Sequence, residues 1–226
     1  MEILLSTVQK QWGYKALHPA STRKKVPVYK TGVAELDELL IDGIPTGCLS
    51  EFVGLTGSGV TTAAYKTMVT AQENHQLVIF LDYSQTFDAD YAQACGINQD
   101  ELLLIRSENL QQIAVILRDL LALLPSGLFV INGRILDPKD ILVIQKLIWK
   151  IGKLIPSSQC AVLFLSPFTS SAYSPAHVRV RFEHQTWCIE HQKIVGHQIT
   201  AQIVRHPASA TGQCTTLTLP MKWSAT

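Results

Sequence analysis

Charge is scarce in this sequence. Lys, Arg, Asp and Glu make up 16% of its 226 residues, and the formal net charge is +1. A chain that is not basic overall cannot hold nucleic acid through its general field, so any such contact must come from a local patch. Long apolar runs are also missing: "LVIFL" and "AVLFL" have the size of buried strands, not of membrane helices. The opening "MEILLSTVQKQW" has no basic leader and no small-residue cleavage site behind it, so it does not read as a signal peptide. The expectation is a cytoplasmic protein with no membrane contact. None of the five cysteines (Cys48, Cys95, Cys160, Cys188, Cys214) forms a CxxC pair, which argues against a disulfide framework and leaves buried thiols in a reducing compartment. The seven histidines show no metal-ligand spacing. His184, His191 and His197 read as surface residues, and no metal is expected.

What remains is 47% hydrophobic and long enough for one domain with a sizeable core. Residues 2–12 suit a short amphipathic helix, with Ile3, Leu4, Val8 and Trp12 near one face. Residues 13–30, with a glycine, two prolines and the knot Arg23, Lys24, Lys25, read as a linker. From Thr31 onwards helix and strand patterns alternate. "VAELDELL" is a turn or two of helix, "LSEFVG" a strand, residues 60–72 a helix, and "LVIFLD" a buried strand. "NLQQIAVILRDLLALL", "GLFVIN", "PKDILVIQKLIWKIGKL" and "CAVLFLS" follow as helix, strand, helix, strand. Continuous apolar strands between helices argue an α/β fold with a mainly parallel sheet covered on both faces. After Ser166 the segments "HVRVRFEH", "QTWCIEH", "ITAQIVRH" and "CTTLTLP" are short and alternating, which predicts antiparallel strands at one side of the sheet.

One thing is conspicuously missing from "GLTGSGVTT", residues 54–62. The phosphate-loop pattern GxxxxGK[ST] finds Gly54, Gly59 and Thr61, but Val60 stands where the lysine belongs. Gly54, Gly57, Ser58, Gly59, Thr61 and Thr62 could still wrap a phosphate, and the loop lies between a strand and a helix as that mechanism requires. Val60 cannot neutralise phosphate charge. Losing one charge-assisted contact removes roughly 1.5–3 kcal/mol, and more in a transition state. A tight strand-to-helix turn is the competing explanation of the glycines.

The stretch "KTGVAELDELLIDGIPTGCLSEFVGLTGSGVTT" resembles the entry to the bacterial RecA core. The similarity continues through "VIFLDYSQTFDADYAQACGINQDELLLIRS" and "IVGHQITAQIVRHPASATGQCTTLTL". The resemblance implies a RecA-like P-loop NTPase core over residues 31–226, behind an N-terminal helix and linker at 1–30, without RecA's small C-terminal domain. It implies roles position by position. The phosphate lysine falls on Val60, the water-activating glutamate on Ser84, the metal aspartate on Asn132 and the γ-phosphate sensor near Pro167. Of two lysines that complete a neighbour's site in RecA filaments, one falls on Arg205 and the other on Pro207. The adenine-contacting positions, Asp88 and Tyr91, are kept. The two DNA-binding loops look short.

Phosphoryl transfer is mostly positioning and charge stabilisation, so losing cation, metal carboxylate and water base together leaves little to catalyse with. The resemblance therefore implies a catalytically inactive relative with weak or absent ATP and magnesium binding and no other cofactor. It would serve as an accessory factor in DNA recombination or damage repair, partnering a RecA-like protein or a DNA polymerase, as ImuA-type relatives do. Two alternatives remain: an active DNA-dependent ATPase with displaced residues, and a regulatory module of the circadian or signalling class. "VQKQWG" resembles the helix through which RecA protomers join, so Ile3, Leu4, Val8 and Trp12 are candidate partner contacts and oligomers could form through them. Lys146, Lys150 and Lys153 recur at i, i+4, i+7 on one helix face and could track single-stranded DNA, though a solvated face is the stronger explanation of them. Arg179 and Arg181 share one face of a strand and could touch DNA, a partner or solvent.

Overall fold

The runs "LSEFV", "VIFLD", "LFVIN" and "AVLFLS" are buried at every position, which strands tolerate only with helices on both faces of the sheet. The structure is a computed structural model and describes residues 6, 7, 10, 26–107, 109–133, 141–155, 158–167, 174–191 and 193–220. In chain order its strands are β1 (Val28–Tyr29), β2 (Ile44–Pro45), β3 (Leu49–Val53), β4 (Val78–Asp82), β5 (Leu102–Arg106), β6 (Leu128–Asn132), β7 (Ala161–Ser166), β8 (Val178–Glu190), β9 (Lys193–Arg205) and β10 (Cys214–Pro220). The helices are α1 (Ala34–Leu39), α2 (Val60–Glu73), α3 (Ala89–Cys95), α4 (Leu110–Leu123) and α5 (Ile141–Leu154).

The main sheet has the order β10-β9-β8-β3-β7-β6-β4-β5. Strands β8, β3, β7, β6, β4 and β5 are parallel, and β9 and β10 join antiparallel. This is the α/β architecture expected. On one face Leu36, Tyr65, Met68 and Ala92 pack against Phe52, Phe80, Val130 and Val180. On the other, Ile113, Leu117 and Ile151 pack against Ile79, Leu81, Phe129 and Phe164. No helix among the described residues is long and apolar enough to cross a membrane.

Three differences from expectation have physical causes. The last residues of the segment read as linker join the core: β1 pairs with β2, and Tyr29 is buried. "HVRVRFEH" and "QTWCIEH" are not two strands but parts of one, β8. Its pairing with β9 slips between His184 and Thr186 and again between Cys188 and Ile189, so the two-residue alternation breaks and reads as an end. β9 likewise begins at Lys193, ahead of "ITAQIVRH". Ser6, Thr7 and Lys10 are helical, but Ile3, Leu4, Val8 and Trp12 lie outside the described residues. So does most of both segments compared with RecA's DNA-binding loops, 134–140 and 168–173.

Candidate functional site

The site gathers at the C-terminal ends of β3, β4, β6 and β7, where open α/β sheets place their ligand crevices. Residues 54–59 leave β3 and enter α2. Gly57 and Gly59 adopt φ of +81° and +87°, left-handed values that favour glycine. Gly59 has a second constraint, since a Cβ there would lie 2.8 Å from Ile199 Cδ1 on β9. Val60 is buried, and its Cγ2, together with Ser58 Oγ, occupies the space that a side chain at Gly54 would need. The residue standing for the cation thus turns into the core beneath the loop. Ser58 Oγ is buried there without a hydrogen-bond partner among the described residues. Thr61 is half-buried. Thr62 is buried, and its hydroxyl lies 2.5 Å from Tyr91 Oη and 2.8 Å from His197 Nε2.

His197 corrects the surface reading of the histidines. It is buried, its ring stacks on Trp187 at 5.1 Å, and β9 carries it onto the start of α2. Burial, and then the neighbouring His184, lower its pKa below the usual histidine value. Tyr91 is also committed within the chain: burial pushes its hydroxyl up to about 12, and the oxygen is bonded to Thr62. Asp88 caps α3, its Oδ1 accepting the Tyr91 amide at 2.9 Å. The structure therefore brings Thr62 and Tyr91 together, with Asp88 at the head of the same helix.

The acidic side centres on Asp82, the fully buried last residue of β4, to which the sequence reading gave no role. Asp82 Oδ2 accepts the Phe87 amide at 2.9 Å, and Oδ1 accepts the Thr86 amide at 3.2 Å. Ser84 Oγ donates to the same Oδ1 at 3.2 Å, and Asn132 Nδ2 donates to it at 3.1 Å. Asn132 Nδ2 also reaches Thr86 Oγ1 at 3.0 Å, whereas Asn132 Oδ1 is buried without a hydrogen-bond partner among the described residues. Ser84 and Asn132, two of the positions singled out from the sequence, thus converge on one carboxylate and both donate to it. Beside Asn132, Gly133 leaves room for the Phe164 ring, which a side chain would strike. Pro167 is half-buried just past β7.

The remaining cations divide. Lys146, Lys150 and Lys153 are exposed on α5, with Trp149 between them 51% exposed. Arg181 is half-buried. Arg179 corrects the expectation of a solvent or DNA-facing side chain. It is buried, with Nε 3.0 Å from Oε2 of the fully buried Glu51, whose Oε1 accepts the Ser166 hydroxyl at 2.5 Å. Arg205 directs Nη1 to the carbonyls of Ser174 (2.5 Å) and Ala176 (3.1 Å) in its own chain. The thiols of Cys48 and Cys95 are pushed up to about 11 by burial, in keeping with unreactive small side chains. Among the described residues no cluster of His, Cys, Asp and Glu could hold a metal ion.

Comparison with known proteins adds a lineage. The family model described as the RecA N-terminal domain matches residues 1–139. The RecA protein of Amycolatopsis mediterranei is 32% identical over 115 residues, 50% of this chain and 33% of the relative. That of Deinococcus radiodurans is 33% identical over 115 residues, 50% of this chain and 32% of the relative. That of Aquifex aeolicus is 32% identical over 105 residues, 45% of this chain and 30% of the relative. The matches span about a third of the length of these curated relatives.

Proposed function

We propose a function from one premise: the chain belongs to the RecA N-terminal domain family. It is a pseudo-ATPase, a RecA-like protein that works by binding. Its place is as a cytoplasmic accessory factor in DNA recombination or damage repair, acting on a RecA-like protein or a DNA polymerase. The observation that carries this reading is the hydrogen bond from Asn132 Nδ2 to Asp82 Oδ1, 3.1 Å long.

A phosphoryl-transfer site needs carboxylate lone pairs free to hold magnesium, a cation on the β- and γ-phosphates, and a base or positioning group for water. Asp82 accepts from two backbone amides, one hydroxyl and one carboxamide, so its oxygens are engaged within the chain. The oxygen of Asn132 carries no formal charge and cannot replace a metal carboxylate. Val60 fills the underside of the loop with methyl groups, and Ser84 donates a proton where a base should accept one. These residues do not fit a magnesium–triphosphate. Retained glycines then serve the β3-to-α2 turn, and Gly59 makes room for Ile199.

The test is steady-state phosphate release with and without single-stranded DNA, alongside calorimetry with ATP and magnesium. Release should match a protein-free control, with no magnesium-dependent micromolar affinity. A DNA-stimulated rate that disappears in Thr61→Ala would overturn the reading.

A further inference from the structure

β8 continues for nine residues after β3 leaves its side. Their pairing runs from Val178 to Arg181 and stops where β3 ends at Val53. Beyond it, β8 pairs only with β9; no described strand lies along its other edge, where Leu55, Thr56 and Ser58 of the loop after β3 line a cavity with Phe182, Glu183 and His184. Positions 183–187, 189 and 190 are exposed, Cys188 is half-buried, and Trp187, Ile189 and Ile194 are 44%, 64% and 43% exposed. Ile189 stands directly opposite Ile194 near the tip of the hairpin. An open strand edge with apolar side chains is a template for another strand.

The edge sequence identifies the occupant. Residues 183–191 read "EHQTWCIEH". Laid antiparallel on a second copy and centred on Trp187, this stretch sets Glu183 against His191 and His184 against Glu190. Gln185 then meets Ile189, and Thr186 meets Cys188. Every acidic residue faces a histidine. A shift of one residue in one direction sets Glu183 against Glu190, and in the other sets His184 against His191. The first places like charges directly opposite, which is destabilising in an antiparallel pair, and the second loses both Glu–His pairs, so the centred register is favoured over either neighbour. Of the three slips in the β8–β9 ladder, two fall one on each side of Trp187 and leave Thr186 to Cys188 regularly paired. We propose that this edge joins two copies of the chain about a two-fold axis through Trp187, continuing the sheet from one protomer into the other. The proposal is independent of whether the phosphate loop is active.

Three measurements on the full chain decide it. Sedimentation velocity over a concentration series should show a monomer–dimer equilibrium. The exposed double variant Glu183→Lys, Glu190→Lys sets lysine against histidine and should weaken that dimer at least 10-fold, with an unchanged unfolding midpoint showing that it still folds. Thr186→Cys, oxidised and mapped by mass spectrometry, should link the introduced thiol to Cys188 of the second copy, because directly opposed positions come within disulfide reach. A chain monomeric at every concentration overturns the proposal. So does a dimer that the charge variant leaves unchanged but deletion of residues 1–14 abolishes, or an oxidised link that runs through Cys48 or Cys214 instead.

Discussion

At the scale of single residues, the proposed inactivity turns on Asn132. Asn132→Asp exchanges an N–H donor for a carboxylate 3.1 Å from Asp82. The lost bond and the facing charges should cost about 2–4 kcal/mol at neutral pH, read from urea unfolding. On the proposed function the variant should show no hydrolysis, because Val60 and Ser84 supply neither a cation nor a base. A variant that is more stable in magnesium, and that binds ATP through it, would contradict the sealed site. His197 sets a pH dependence. Its folded pKa lies below that of an unfolded histidine, about 6.5. As pH falls through that value the unfolded chain takes up a proton that the buried ring resists, so stability is full above it and declines below it. His206, also lowered by burial, adds to the decline. The ring of His197 faces Trp187 and His184 on β8 and the Thr62–Tyr91 pair on α2 and α3. His197→Gln should flatten the fall in urea midpoint below pH ~6.5 and leave the part due to His206. An unchanged profile would show that the ring is not buried neutral.

At the scale of elements, the phosphate loop is held by what packs on it. Gly57 and Gly59 both sit at positive φ, but a Cβ at Gly57 meets open space while one at Gly59 meets Ile199 on β9. Gly57→Ala should therefore cost about 1–2 kcal/mol, the left-handed backbone penalty alone. Gly59→Ala should cost about 1–3 kcal/mol more, from overpacking. A double-mutant cycle with Ile199→Ala should show coupling of at least about 1 kcal/mol. Equal costs at the two glycines would mean that β9 does not press on the loop. The same elements show what was legible in the sequence. β3, β4, β6 and β7 are readable because each is an unbroken apolar run, and the loop glycines because their spacing is fixed. α3 is seven residues with no long apolar stripe, and β5 is a half-exposed edge strand, so neither announces itself. The Asn132–Asp82 bond joins residues 50 positions apart, and Arg179 finds Glu51 only when β8 lies beside β3. Alternation placed Arg179 and Arg181 on one face of β8 but could not say that Glu51 waits there. Such pairings belong to the sheet order, which no local pattern carries.

At the scale of the whole molecule, two of the residues compared with a filament's bridging positions are unsuited to bridging. Arg205 is committed to the Ser174 and Ala176 carbonyls, and Pro207 has no cation to offer. On the proposed function, a filament of this chain alone, bridged through nucleotide, is disfavoured, and we propose that residues 2–12 dock onto another RecA-like core. The chain is anchored from Val28, where β1 pairs with β2. A flexible chain of the length from residue 13 to that anchor would span about 20 Å. Trp12 is the proposed aromatic anchor in that segment, and truncating such a residue would remove about 2 kcal/mol, or roughly 30-fold in affinity. Trp12→Ala should weaken binding to RecA by that factor, and deletion of residues 1–14 should abolish it, as followed by light scattering. Both changes should leave the unfolding midpoint and the pairing of β8 edges as they are. A truncated chain that binds RecA as tightly as the full one would show that this helix is not the connector. A truncated chain with a lower midpoint would show that the helix packs on its own core instead.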